Sequence, residues 1–212
     1  MKAIRLKTEH LFDPVGVDFS APRLFWNCEG GKKQTAYQIV AADDSGSILW
    51  DSGRVESAVM CVKWGGAPVP PKTKVFWKVQ LWDEEAAVGD WSEASFETGI
   101  GAWSAKWITG DYQVNKKERY PVDCFRKVFN VSGIQKARLY ITACGLYKAS
   151  INGRRVGDFV RAPGITDYRK RVQYQTYDVS DLLQNGENVL TMQLADGWYR
   201  GSTGAWGIRN QY

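Results

Sequence analysis

The stretch Lys74-Val75-Phe76-Trp77-Lys78-Val79-Gln80-Leu81-Trp82-Asp83 decides the fold. Alternate residues of a strand point to opposite faces. Val75, Trp77, Val79 and Leu81 therefore share one apolar face, and Phe76, Lys78, Gln80 and Trp82 share the other. That period is wrong for a helix and right for a half-buried strand. Working outward, Arg23-Leu24-Phe25-Trp26 and Thr35-Ala36-Tyr37-Gln38-Ile39-Val40-Ala41 read as further strands, as does Ser47-Ile48-Leu49-Trp50-Asp51-Ser52-Gly53. The turn Asp43-Asp44-Ser45-Gly46 between the last two carries the residue types that hairpins use. Ser95-Phe96-Glu97-Thr98-Gly99 closes the module. Seven or so short strands in about one hundred residues predict an immunoglobulin-like sandwich, with runs ordered as in a fibronectin type III domain.

A second pattern begins after Gly99-Ile100-Gly101, so the expected domains are residues 1–100 and 101–212. Cys124-Phe125-Arg126-Lys127-Val128-Phe129-Asn130-Val131, Lys136–Ala143, Leu146–Ile151, Gln173–Val179 and Asn188–Ala195 all read as strands. Asn152-Gly153 supplies two residues that tolerate positive φ, as a type I′ hairpin needs. Ser180-Asp181-Leu182-Leu183 reads as a one-turn helix, flanked by Asp178 and Asp181 as capping residues. The fold class is all-β: the first sandwich followed by a jelly-roll-like sandwich. An eight-stranded jelly roll wants strands beyond Ala195, so the second module reads as incomplete at its C-terminal end, with an open sheet edge for self-association. The competing reading is a smaller sandwich that is complete as it stands.

Charge is uneven. Residues 1–100 hold 11 Lys/Arg against 14 Asp/Glu, whereas residues 101–212 hold 17 against 9. The basic half raises nucleic acid or an acidic polysaccharide as partners. Lys106, Arg126, Arg138, Arg161 and Arg200 are scattered, however, and Arg169-Lys170-Arg171 reads as a solvated turn, so no nucleic-acid partner is expected. The four cysteines, Cys28, Cys61, Cys124 and Cys144, have long irregular spacings that suit no zinc site, and Cys144 reads as a small buried hydrophobe. Met1–Lys7 lacks an apolar signal core and no stretch is apolar enough to span a membrane. The expected location is cytoplasmic, or periplasmic or secreted if a signal segment has been removed.

Catalytic constellations are scarce. His10 is the single histidine, placed near a start expected to be mobile, so neither a Ser-His-Asp triad nor a histidine metal site can be built. Asp158, Asp167, Asp178 and Asp196 are too dispersed to nominate a glycosidase pair. We expect no catalytic residue and no metal ligand in the chain. Ten tryptophans and ten tyrosines serve either as core or as platforms for sugar rings. Asp196-Gly197-Trp198-Tyr199-Arg200-Gly201, read as a loop, is the one segment with chemistry: Trp198 or Tyr199 can stack on a pyranose while Asp196 and Arg200 bind hydroxyls. The same residues, with Trp206, serve equally as a domain interface, the preferred reading.

Several blocks carry a resemblance. Ala137–Tyr147, Ile151–Gly157, Ala162–Val179 and Asp196–Gly201 resemble the bacterial α-L-rhamnosidase family, in order and at its usual spacing. Ala36-Tyr37-Gln38-Ile39-Val40, Trp50-Asp51-Ser52-Gly53 and Trp77-Lys78-Val79 are similar to the small sandwich preceding that module. The resemblance implies a parent hydrolase that removes terminal α-L-rhamnose from glycosides or polysaccharides with inversion. Its acid and base would lie on a downstream barrel absent from these residues. The implied partners are a rhamnose-containing carbohydrate and that catalytic domain. The implied cofactor is none, although some relatives bind rhamnose with calcium. The resemblance implies an inactive scaffold fragment; a self-standing carbohydrate-binding module is the alternative, and a tandem-sandwich adhesion or assembly protein a third reading.

Overall fold

The computed structural model describes residues 1–19, 21–113, 115 and 120–201. It divides into two units between Trp103 and Ser104. The regular secondary structure of the described residues is almost all β, with two sheets in each unit.

The first unit contains β1 (Lys2–Thr8), β2 (Val15–Val17), β3 (Arg23–Glu29), β4 (Ala36–Asp43) and β5 (Ile48–Asp51). It continues with β6 (Val55–Glu56), β7 (Cys61–Lys63), β8 (Lys74–Trp82) and β9 (Ser92–Thr98). One sheet runs β1-β3-β7; the other runs β2-β9-β8-β4-β5, with β6 beside β4. Val75, Trp77, Val79 and Leu81 of β8 are fully buried, whereas Phe76 is half exposed, as the alternation predicts. Trp26, Trp64, Leu24, Ile39 and Phe96 meet them in a single core. Trp77 Nε1 donates to Thr8 Oγ1 at 3.2 Å and Trp26 Nε1 to Gln34 Oε1 at 2.9 Å, so the buried indoles keep their hydrogen bonds.

The chain start departs from the expected mobility. β1 pairs with β3, Ser92 Oγ donates to the Ala3 carbonyl at 2.6 Å, and His10 packs tilted against Phe25 with ring centroids 4.2 Å apart. Ala3, Leu6 and Thr8 point inward, which ties the segment down.

The second unit contains β10 (Asp123–Val131), β11 (Arg138–Ile141), β12 (Leu146–Ile151), β13 (Arg154–Arg155), β14 (Gln175–Asp178), β15 (Gly186–Ala195) and α1 (Gly197–Arg200). A four-stranded sheet runs β10-β15-β12-β13, and β11 pairs with β14 in a second sheet. Ile141, Ala143, Tyr147, Ala149, Ile151 and Val179 lie between them, with Leu190, Met192 and Leu194 packed against that cluster. Burial and the Tyr177 hydroxyl beside it push the Tyr147 phenol well up, and its hydroxyl donates to Gln175 Oε1 at 2.7 Å. β15 sits inside its sheet, between β10 and β12, so the edges of that sheet among the described residues are β10 and the short β13. Cys144 is half-buried rather than fully buried.

The Asn152-Gly153 turn has positive φ at both residues, 52° and 78°. It is also bolted in place. Asn152 Nδ2 donates to Asn188 Oδ1 at 2.8 Å and to the Leu182 carbonyl at 3.0 Å, and Asn152 Oδ1 accepts from the Val189 amide at 2.9 Å. Asn188, fully buried, donates in turn to the Gln184 and Gly186 carbonyls at 2.7 and 3.0 Å. A 3₁₀ turn occupies Ser180–Leu182. Asp178 Oδ1 accepts from the Ser180 amide and hydroxyl at 3.0 and 2.7 Å, but the N-cap position is Val179, without a side-chain bond, and Asp181 lies inside the turn, so neither aspartate caps it as expected. Arg169, Lys170 and Arg171 are exposed on a turn closed by bonds to the Asp167 carbonyl.

Candidate functional site

The segment singled out in the sequence follows β15 as a helical turn, not a loop. Gly197 is required there. Its φ is +52°, and a Cβ would sit 2.7 Å from Leu146 Cγ and 3.0 Å from the Gly145 carbonyl carbon. The turn brings Asp196 and Arg200 onto one side, and Arg200 Nε lies 2.9 Å from Asp196 Oδ1. Across the unit, Arg200 Nη2 lies 3.6 Å from Asp123 Oδ2, at the start of β10, and Arg200 Nη1 donates to the Tyr112 hydroxyl at 3.1 Å. Tyr112 donates onward to Asp123 Oδ2 at 2.9 Å.

Arg200 and Asp123 side chains are only 13% and 14% exposed, and Asp196 is 25% exposed. Burial by itself would lower the Arg200 guanidinium's affinity for its proton. The Tyr112 hydrogen bond and the carboxylates of Asp196 and Asp123 outweigh that and hold it above its ordinary value. The guanidinium thus spends its fork on groups of its own unit. Asp196 and Arg200 form an ion pair with each other, and both side chains are largely buried. Tyr199 packs edge-on against Tyr168, with ring centroids 5.4 Å apart, and Trp198 is half-buried. Trp206, also nominated from the sequence, lies outside the described residues.

Asp123, Tyr112 and Tyr168 were missed by sequence reasoning. Each is remote in the chain from α1, and no local spacing connects them to it. The scattered cations were also under-read: Arg126 and Arg161 come to one sheet face together with Lys148. Among the described residues, no group of three or more His, Cys, Asp or Glu side chains is placed to hold a metal ion. No helix there is long and apolar enough to cross a membrane.

Comparison with known proteins fits both units. Residues 3–102 match the Rha78A-like, N-terminal immunoglobulin domain, and residues 132–212 match the alpha-L-rhamnosidase N-terminal domain. An alpha-L-rhamnosidase of Formosa agariphila is 35% identical over 217 residues, covering 93% of this chain and 23% of that protein. The alpha-L-rhamnosidase structure from Dictyoglumus thermophilum superposes with a TM-score of 0.84 at 37% identity, over 94% of this chain and 25% of that one. That of Aspergillus terreus gives 0.90 at 31% identity, over 99% and 25%. The chain therefore spans about a quarter of the length of the relatives it matches. Its two sandwiches belong to the α-L-rhamnosidase family, as two of that family's N-terminal domains.

Proposed function

We propose that this chain is the non-catalytic N-terminal part of an α-L-rhamnosidase, a glycoside hydrolase that removes terminal α-L-rhamnose from glycosides or polysaccharides. Its role is scaffold and interface for a downstream catalytic domain of the same polypeptide. The observation that carries this reading is the Asp196–Arg200–Asp123 ion-pair cluster, tied to Tyr112 by a hydrogen bond. Groups able to read a sugar are spent on holding α1 to β10, which suits a rigid docking element better than a binding cleft. The reading assigns these modules no cofactor. It also places the chain in a reducing compartment such as the cytoplasm, a placement supported by four free thiols.

Release of the aryl group from an aryl α-L-rhamnoside tests the proposal. The 212-residue chain is expected to give none above the spontaneous rate, and the polypeptide extended through its catalytic domain is expected to turn over. Turnover by the 212-residue chain alone overturns the reading.

A further inference from the structure

The sheet β10-β15-β12 has two unlike faces. Ala149, Ile151, Leu190, Met192 and Leu194 close on the core. The opposite face carries two registered rows, Cys124–Gln193–Lys148 and Arg126–Thr191–Ser150. Two adjoining depressions, about 400 and 230 Å³, lie over these rows and share Lys148 and Gln193. The first takes in Arg126, Ser150 and Thr191, and the second extends to Arg161.

Arg126, Lys148 and Arg161 are all exposed, and none has an acidic or hydrogen-bonding partner among the described residues. Four of the acidic side chains nearby in sequence are committed elsewhere: Asp123 and Asp196 to Arg200, Asp178 to Arg138, and Asp167 to Lys170. Arg126 and Lys148 lie on strands two apart and one row offset, which puts their Cα atoms ~12 Å from each other. Uncompensated like charge on one surface works against the compact state and suits an external anion.

The chemistry between the cations narrows the ligand. Ser150, Thr191 and Gln193 interleave hydroxyls and an amide with the positive charges; Phe125 and Tyr147 border the depressions, but from the alternate positions that register with the core-packed Met192 and Leu194, so neither row itself presents an aromatic side chain. Sites for single-stranded nucleic acid rely on stacking platforms, and the centres of protein interfaces are rich in aromatics and poor in lysine. A ligand with anions set among many hydroxyls fits instead. We infer that this face binds an acidic polysaccharide strand, through charge-assisted bonds from Arg126, Lys148 and Arg161 to its carboxylates or sulfates. This goes beyond the scaffold role and does not require the rhamnosidase reading.

Calorimetric titration of the 212-residue chain with tetragalacturonate tests it, with galactotetraose as the neutral control. The acidic sugar is expected to bind saturably, more weakly as salt rises, and the neutral one not at all. The double variant Arg126→Gln/Lys148→Gln is expected to raise Kd by about tenfold or more, the loss of two charge-assisted bonds. Its thermal midpoint should not fall, because the variant removes unbalanced charge. Three results overturn the inference: no saturation at millimolar tetragalacturonate, an unchanged Kd in the double variant, or equal displacement by polyglutamate or single-stranded DNA. None of these outcomes bears on the aryl rhamnoside assay, so the two readings fail separately.

Discussion

The two units are built on different principles although both are β-sandwiches. The first buries large side chains completely: Trp26, Trp77, Phe96, Leu24 and Ile39 are sealed from solvent. Among the largest fully buried side chains, the second unit contributes one, and it is polar: Asn188. Its apolar core is made of smaller or less completely buried side chains: Ala143, Ala149 and Ala162 beside Ile141, Tyr147, Ile151, Val156 and Val179, ringed by half-buried aliphatics such as Leu190 and Met192. The first unit therefore rests on apolar burial, which is strong and non-directional. The second leans on directional polar locks, namely the Asn152–Asn188–Gln184 network, Arg138–Asp178 and the Arg200 cluster. Such locks add little net stability but define one arrangement of turns and strand ends. That division suits a unit whose surfaces must be held in a set geometry.

Substitutions should separate the two modes. The largest effect is expected from Trp77→Ala, which empties the middle of the first core and loses the bond to Thr8. We expect a loss of about 3–5 kcal/mol, seen as faster amide exchange throughout β4, β8 and β9, with the second unit unchanged. Asn188→Ala should cost the second unit about 1–3 kcal/mol, because it strands the Asn152 and Gln184 groups that now meet it. Exchange at β12 and β15 should rise while β8 stays protected. An equal response of both units to either change would remove the contrast.

The smallest effect concerns pH. Burial would raise the Asp178 carboxyl, but the Ser180 bonds and the Arg138 guanidinium, 2.6 Å away, together bring it below the ordinary carboxylate value. A depressed folded value means that the stabilisation is present above the unfolded value and is lost as pH falls through the folded one. The second unit should therefore weaken below about pH 4, and Asp178→Asn should flatten that limb. Because the Asp178 side chain is 57% exposed, the change is expected to stay under about 1 kcal/mol. Thermal midpoints from pH 3 to pH 7 check this.

The same contrast governs what the sequence makes legible. The β8 alternation, the Asp43–Gly46 turn and the Asn152-Gly153 hairpin are local patterns, and the structure carries all three. β2 was hidden because three residues hold no period, and it is defined by parallel pairing to β9, far along the chain. β7 is equally short and pairs with β3. At the candidate site, Asp196 and Arg200 were visible as a pair four apart. Their partners Asp123 and Tyr112 were not, since Tyr112 meets Arg200 across 88 positions. The cationic face was invisible for the same reason: Arg126 and Lys148 reach one face through the pairing of β10 and β12 with β15, and Arg161 joins Lys148 from a turn. Local chemistry shows which residues matter, and tertiary pairing decides whether they face each other or a ligand.

The claim that α1 is a structural lock is tested most directly by titrating the 212-residue chain with L-rhamnose, with and without calcium. With Asp196 and Arg200 paired to each other, we expect no saturable heat at millimolar sugar in either condition. Saturable binding that disappears in Trp198→Ala would contradict the account and make this segment a sugar-reading site.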